Sequence, residues 1–210
     1  ITGAIVEQDG VRVQVVARRG VVLAAGGFDH DMAMRHDHQS KALVEGYSLG
    51  AEGNTGDAIK AGLAAGADTA FMNESWWFPA ISPLGSDLPQ VLLAERSLPG
   101  SLIVDQHGRR FVNEACDYMS YGQEVLAREA AGDPITAMWL IFDRQYRNSY
   151  VLAGSLFPRM AIPQAWYDAG IAAQAANPAE LARRTGLPVE DLVGTLDHFN
   201  KMAASGVDGD

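Results

Sequence analysis

The stretch Val21-Val22-Leu23-Ala24-Ala25-Gly26-Gly27-Phe28 constrains this chain more than any other. Five apolar residues in a row, with no polar alternation, predict a strand covered on both faces. Two glycines then end it. A Gly-Gly turn has no Cβ to hold a ligand away from the backbone, and a polar helix is expected from about Asp29. The run therefore predicts half of a ligand site, and the other half has to be found elsewhere.

Upstream, Asp9-Gly10 is a strong hairpin signal, and Val11-Arg12-Val13-Gln14-Val15 alternates as a half-buried strand does. With Val21–Ala25 these segments predict a β-meander. Downstream, a loop from Gly50 to Gly56 carries Asn54 and Thr55 and runs into a helix of Ala, Ile and Leu that begins near Asp57. Such a loop cradles phosphate or ribose, or it simply caps the helix through Asp57 or Thr55. "GSLIVDQHGRRFVNE" predicts a second hairpin, turning at Gln106-His107-Gly108. "DYMSYGQEVLAREAAG" predicts a helix with a glycine stop, and "MWLIFD" a further buried strand. In the last third, Asn177-Pro178 and Pro188 mark helix starts and Gly186 a stop.

A net charge of −10 argues against a nucleic-acid partner or an anionic membrane surface. No apolar run approaches the roughly 20 residues of a membrane helix. The lone Cys116 has no partner for an internal disulfide, so a reducing cytoplasm is expected. As a nucleophile it has no His or Asn placed by sequence to activate it, and a small buried apolar role fits it better. His30, His36 and His38 stand among Asp29, Asp31 and Asp37. The two-residue spacing of His36 and His38 puts them on different helix faces, so a solvated helix and no metal is expected. Ile1 opens directly in strand-like sequence and the chain stops in loop-like residues. Both ends read as those of a piece cut from a longer protein.

Taken together, "VVLAAGGF", "GNTGDAIKAG" and "GSLIVDQHGRRFVNE" resemble, in that order, the flavoprotein family of fumarate reductases, succinate dehydrogenases and 3-ketosteroid dehydrogenases. The likeness is strongest to the Δ1-dehydrogenase branch. It implies an α+β chain in two parts. Residues 1–74 are expected to be the C-terminal part of an FAD-binding domain (β-meander, buried strand and helices). Residues 75–210 are expected to be most of a mixed α/β substrate-capping domain. It also implies FAD against Ala25, Gly26, Gly27, Asn54, Thr55, Gly56 and Asp57. The family's GxGxxG motif and its last motif are absent, so the rest of that site is expected on further chain.

The family divides by substrate. Its dicarboxylate enzymes place an arginine a few residues before the hairpin. Here Ser97 or Leu98 stands there, with Arg96 one or two positions away. Trp76, Trp77 and Phe78 form an apolar, aromatic cluster that suits a large apolar ligand or, equally, a core seam. In the ketosteroid branch a tyrosine just after the hairpin motif is the base, and Tyr118 takes that place. Tyr121, three residues on, shares its helix face and is the other candidate near the substrate. The chemistry is reasonable: a ketone acidifies its α C–H, a phenolate removes that proton, and FAD takes hydride from the neighbouring carbon. A free tyrosine has a pKa of about 10, so the site must stabilise phenolate or couple it to a second hydroxyl. The expected function is FAD-dependent desaturation beside a ketone, on a steroid-like apolar substrate, with an external electron acceptor. The alternatives are a dicarboxylate enzyme using Arg96, or a non-catalytic ligand-binding module.

Overall fold

The structure is a computed structural model that describes residues 1–81, 84–85 and 88–210. The chain divides into two compact units, Ile1–Glu74 and Ser75–Asp210.

The first unit opens with a hairpin of β1 (Gly3–Gln8) and β2 (Val11–Val16), antiparallel from Gly3↔Val16 to Gln8↔Val11. Its turn residues Asp9 and Gly10 have φ of 52° and 77°. These left-handed angles suit the right-handed twist of paired strands, which is why Asp-Gly serves there. The expected third strand of a meander does not form. Val21–Ala25 forms no strand and bends at Ala25, and Val22 is 90% exposed. A run covered on both faces needs a strand at its side, and no described strand of this chain pairs with it. Two helices follow. In α1 (Met32–His38), Asp31 caps the start by accepting the Met34 N–H at 2.9 Å. The second, α2 (Asp57–Ala64), starts from Gly56 in the left-handed region with φ 76°.

In the second unit, β3 (Ala80–Ile81) pairs briefly with β4 (Gln90–Val91). The fully buried β5 (Ser101–Asp105) is its centre. The expected hairpin is only partly formed. Asp105 and Arg109 close the turn, but the returning limb makes a single bridge, Val104↔Arg110. The true partner of β5 is β6 (Met138–Phe142), antiparallel from Ser101↔Phe142 to Asp105↔Met138. Directly opposed residues share a face. Leu102 and Val104, opposite Ile141 and Trp139, therefore pack on Ala182, Leu187 and Leu192. Those residues belong to α6 (Pro178–Thr185), to the Leu187 link and to α7 (Val189–Ser205). Leu140 and Phe142 turn to a second cluster of Leu92, Leu152, Leu156 and Trp166. Each fully buried Leu or Ile contributes about 1.5–3 kcal/mol, so the sheet's two faces hold this unit together.

The helix boundaries follow the caps. Asn177 accepts the Glu180 N–H at 2.9 Å, Pro178 fills the first turn, and Gly186 ends α6 with φ 76°. Between the strands runs α3 (Tyr118–Ala130), capped by Asp117, with Gly132 beyond its end at φ 81°. After β6 come α4 (Arg144–Ser149) and α5 (Gln164–Asp168). No helix among the described residues is long and apolar enough to cross a membrane.

Candidate functional site

In the first unit the two glycine-rich elements meet. The Gly56 N–H donates to the Gly27 carbonyl at 2.9 Å, and the His30 N–H donates to the Asn54 carbonyl at 3.0 Å. The Asn54 amide donates to Asp29 at 2.9 Å. Ala25–Gly27 and Asn54–Asp57 thus form one cross-bonded platform. Two glycines make the close approach possible. At Gly26, with φ 84°, a Cβ would fall 2.2 Å from Asn54 Oδ1. At Gly56 it would fall 2.6 Å from Met34 Sδ. Neither Asp57 nor Thr55 caps α2, since no side chain does. Its first-turn N–H groups therefore have no partner within the helix or from a cap, and they carry the partial positive charge of a helix start. Lys60 turns back onto this corner, 2.5 Å from Asp31 and 2.8 Å from the Thr55 carbonyl. Hydrogen bonds from Lys60 and from the Met34 N–H hold the Asp31 carboxyl below the usual range. A groove of about 220 Å³ runs from Leu23 and Gly26 along Ala58, Ile59 and Gly62. The histidines nearby bind backbone rather than gathering: His30 contacts the Gly50 carbonyl and His36 the Leu43 carbonyl.

In the second unit, Tyr118 is the first residue of α3. Its ring centroid lies 4.5 Å from that of Phe78 and 6.1 Å from that of Trp76, which meets it edge-on. Trp76 is 76% exposed, so this aromatic wall opens outward. The Tyr118 hydroxyl makes no hydrogen bond among the described residues. Trp77 turns the other way and seats against Gly122 of α3, where a Cβ would fall 2.1 Å from its Cγ.

Tyr121, expected beside the ligand, lies inside at 2% exposure. Its hydroxyl donates to Met138 Sδ at 3.1 Å, its ring meets Phe111, and burial raises its pKa above that of a free phenol. The two tyrosines therefore differ in kind. Tyr118 presents a free hydroxyl, and Tyr121 is a packed one.

Three charged residues organise this corner in ways the sequence reading missed. Glu114 is buried, and its Oε1 accepts the Ile103 N–H of β5 at 2.8 Å. Arg110 pairs with that carboxylate at 2.6 Å and with Asp208 at 2.8 Å. The i,i+4 spacing of Arg110 and Glu114 was the available signal. Arg96, weighed as an anion anchor, is 5% exposed and points at backbone: its Nη1 donates to the Glu114 carbonyl and its Nη2 to the Cys116 carbonyl. Cys116 is half-buried, and burial raises its pKa, so it is not primed as a thiolate.

A larger cavity in this unit, about 550 Å³, is lined by Arg109, Phe111, Asp191, His198 and neighbours, and by none of Trp76, Phe78 or Tyr118.

Over residues 1–210 the chain matches the family described as FAD binding domain. It is 43% identical over 199 residues to a 3-oxosteroid 1-dehydrogenase of Mycobacterium tuberculosis, covering 92% of this chain and 35% of that protein. It is 30% identical over 216 residues to a 4-oxocyclohexanecarboxylate 2-dehydrogenase of Sinomonas cyclohexanicum, covering 100% of this chain and 36% of that protein. Among solved structures it matches a 3-ketosteroid Δ1-dehydrogenase from Sterolibacterium denitrificans in complex with 1,4-androstadiene-3,17-dione. That match has a TM-score of 0.82 and 33% identity, and covers 100% of this chain and 38% of the other. The chain thus spans little more than a third of the length of these relatives.

Proposed function

The chain belongs to the FAD binding domain family, and on that premise we propose that it is part of a dehydrogenase desaturating a carbon–carbon bond beside a ring ketone. A 3-ketosteroid is the substrate class the relatives favour. The observation that carries the reading is Tyr118: a tyrosine with an unengaged hydroxyl, set in an aromatic wall, at the start of a helix.

The residues present fit the cofactor. Two glycine elements locked to each other, beside a helix start that no side chain caps, are a receptor for an anionic dinucleotide. Ala25, Gly26, Gly27, Asn54, Thr55, Gly56 and Asp57 would hold FAD. Bound FAD supplies a hydride acceptor. The remaining roles belong to this chain's side chains. Trp76 and Phe78 would pack on the apolar rings of the ketone and exclude water from them. As the phenolate, Tyr118 would take the proton from the carbon next to the carbonyl, the O–H bond forming at its Oη while the C–H electron pair goes into the new C=C bond as hydride leaves the neighbouring carbon. Trp77, seated against Gly122, and the buried Tyr121 would lie behind that wall rather than touch substrate. Residues 1–74 would serve as the flavin-binding part and 75–210 as the substrate-capping part.

The dicarboxylate reading loses its anchor, because both terminal nitrogens of Arg96 are engaged by backbone carbonyls. The test of the proposed function is Tyr118→Phe in the complete flavin-loaded protein, with dye-coupled turnover of a 3-ketosteroid. General-base loss predicts a fall in kcat of about 10²–10⁴-fold with flavin content unchanged. Undiminished turnover would refute the assignment.

A further inference from the structure

We propose that Arg96 is a positioning residue for Tyr118, acting through the segment of chain that leads into α3. The inference rests on Tyr118 as the base. Arg96 sits in the 3-10 turn Glu95–Ser97, and that turn is itself anchored: the fully buried Tyr146 of α4 donates its hydroxyl to the Glu95 carbonyl at 2.8 Å. From this fixed base the guanidinium forks onto two carbonyls two residues apart, Glu114 and, at 2.8 Å, Cys116. Its carbon lies 5.8 Å from the centroid of the Tyr121 ring, close enough for a cation–π contact.

The clamped segment is held from the other side as well. The Glu114 side chain is tied to the Ile103 N–H and to Arg110. Asp117 then caps α3 through the Met119 and Ser120 N–H groups at 3.0 and 2.9 Å. Tyr118 follows immediately. The place of its hydroxyl is therefore set by where residues 114–117 lie, and among the described residues the one cation bonded to their carbonyls is Arg96.

The chemistry of the clamp needs arginine. A planar guanidinium offers donors in a fixed fork, whereas an ammonium is a compact point charge whose donors hold no fixed fork. An apolar residue of similar size would fill the space without burying a cation whose Nε–H has no partner among the described residues. What such a residue lacks is the fork.

The test uses the complete flavin-loaded protein, and it combines hydrogen exchange with steady-state turnover of a 3-ketosteroid. In Arg96→Lys, amide exchange across residues 113–122 should rise by about tenfold or more, while residues 124–131 keep their wild-type rate. Misplacing a catalytic group by about 1 Å costs up to about 10²-fold, so kcat should fall by about 10–100-fold with KM within about threefold. Tyr121→Leu removes the ring beneath the guanidinium and should loosen the same segment, which provides a second variant if the first is poorly folded. Because Arg96 acts through Tyr118, the double variant Arg96→Lys/Tyr118→Phe should turn over no more slowly than Tyr118→Phe alone. Unchanged exchange at 113–122 overturns the clamp. Faster exchange with unchanged kcat, or penalties that multiply in the double variant, overturns the positioning role. If Tyr118→Phe alone is harmless, it is the base assignment that fails, and the exchange data still report on the clamp.

Discussion

Gly122 decides whether the aromatic corner is packed as described. It lies buried in α3, and a Cβ added there would fall 2.1, 2.2 and 2.3 Å from Cγ, Cδ1 and Cβ of Trp77. Ordinary carbon contacts begin near 3.5 Å, so the root of the Trp77 side chain would have to move by more than about 1 Å. Two effects oppose each other in Gly122→Ala. Helix propensity favours Ala over Gly by about 1 kcal/mol. Overpacking a filled site costs about 1–3 kcal/mol, and more when the obstacle is near the backbone and cannot swing aside. Overpacking should win, leaving a net loss of about 1–2 kcal/mol. With an m-value of about 2 kcal/mol per molar urea, the midpoint followed by tryptophan fluorescence falls by about 0.5–1 M. Because Trp76 and Phe78 flank Trp77, kcat should fall with it. The control is Gly194→Ala on the exposed face of α7, where a Cβ meets nothing within 4 Å. There propensity acts alone, and stability should rise by about 0.5–1 kcal/mol. A midpoint that stays or rises in Gly122→Ala would refute the seating of Trp77.

Three further outcomes follow from the same contacts. Asp105 is buried, which by itself would raise its pKa, but hydrogen bonds from Arg128 at 2.9 Å and from the Arg109 and His107 N–H groups outweigh this and hold the carboxyl below its usual range. A depressed folded pKa gives stability that is full above the unfolded value of about 4 and is lost as pH falls further. Asp105→Asn should therefore cost about 2–4 kcal/mol at pH 7 and flatten the acid limb of the urea midpoint below about pH 4; an unchanged limb would contradict it. Glu114→Gln takes the buried carboxylate from Arg110, which keeps Asp208 at 2.8 Å, and should lower stability by about 1–3 kcal/mol in the same urea assay. Gly26→Ala adds a Cβ at φ 84°, 2.2 Å from Asn54 Oδ1, and should weaken FAD retention by about tenfold or more, read as the flavin-to-protein absorbance ratio after dialysis.

Signals that act over two to four residues were legible in the sequence. Asp9-Gly10 makes its turn, Asn177-Pro178 opens α6, and Gly186 closes it. Pairings between distant segments were not. A hairpin from Ser101 onward looked complete in itself, yet β5 takes its partner from β6, more than thirty residues later. Val21–Ala25 has the composition of a doubly covered strand, but composition cannot supply the neighbour that a ladder requires. The candidate site shows the same division. Resemblance pointed to Tyr118, while spacing alone left Tyr121 as a rival, since residues three apart share a helix face. Burial separates them: Tyr121 sits under Arg96 and against Phe111, and Tyr118 is half-buried between Phe78 and the exposed ring of Trp76. Arg96 could be read as an anion anchor from its place in the sequence, and only its two carbonyl contacts redirect it.

That redirection bears on substrate. Binding a small dianion requires a cation with donors facing the ligand, because desolvating two carboxylates is costly unless each is paired. Among the proposed substrate-facing residues, Trp76, Phe78 and Tyr118, there is no cation, and the nearest candidate by sequence has its terminal nitrogens turned to Glu114 and Cys116. Ring faces and edges suit the apolar skeleton of a cyclic ketone, which asks for contact area and a single polar handle. Fumarate and succinate at about 1 mM, where binding amounts to only about −4 kcal/mol, should therefore leave turnover of a 3-ketosteroid unchanged in the complete protein. Competitive inhibition by either dianion below that concentration would show that a cation reaches the site after all, and Arg96→Lys would be the variant in which to look for its loss.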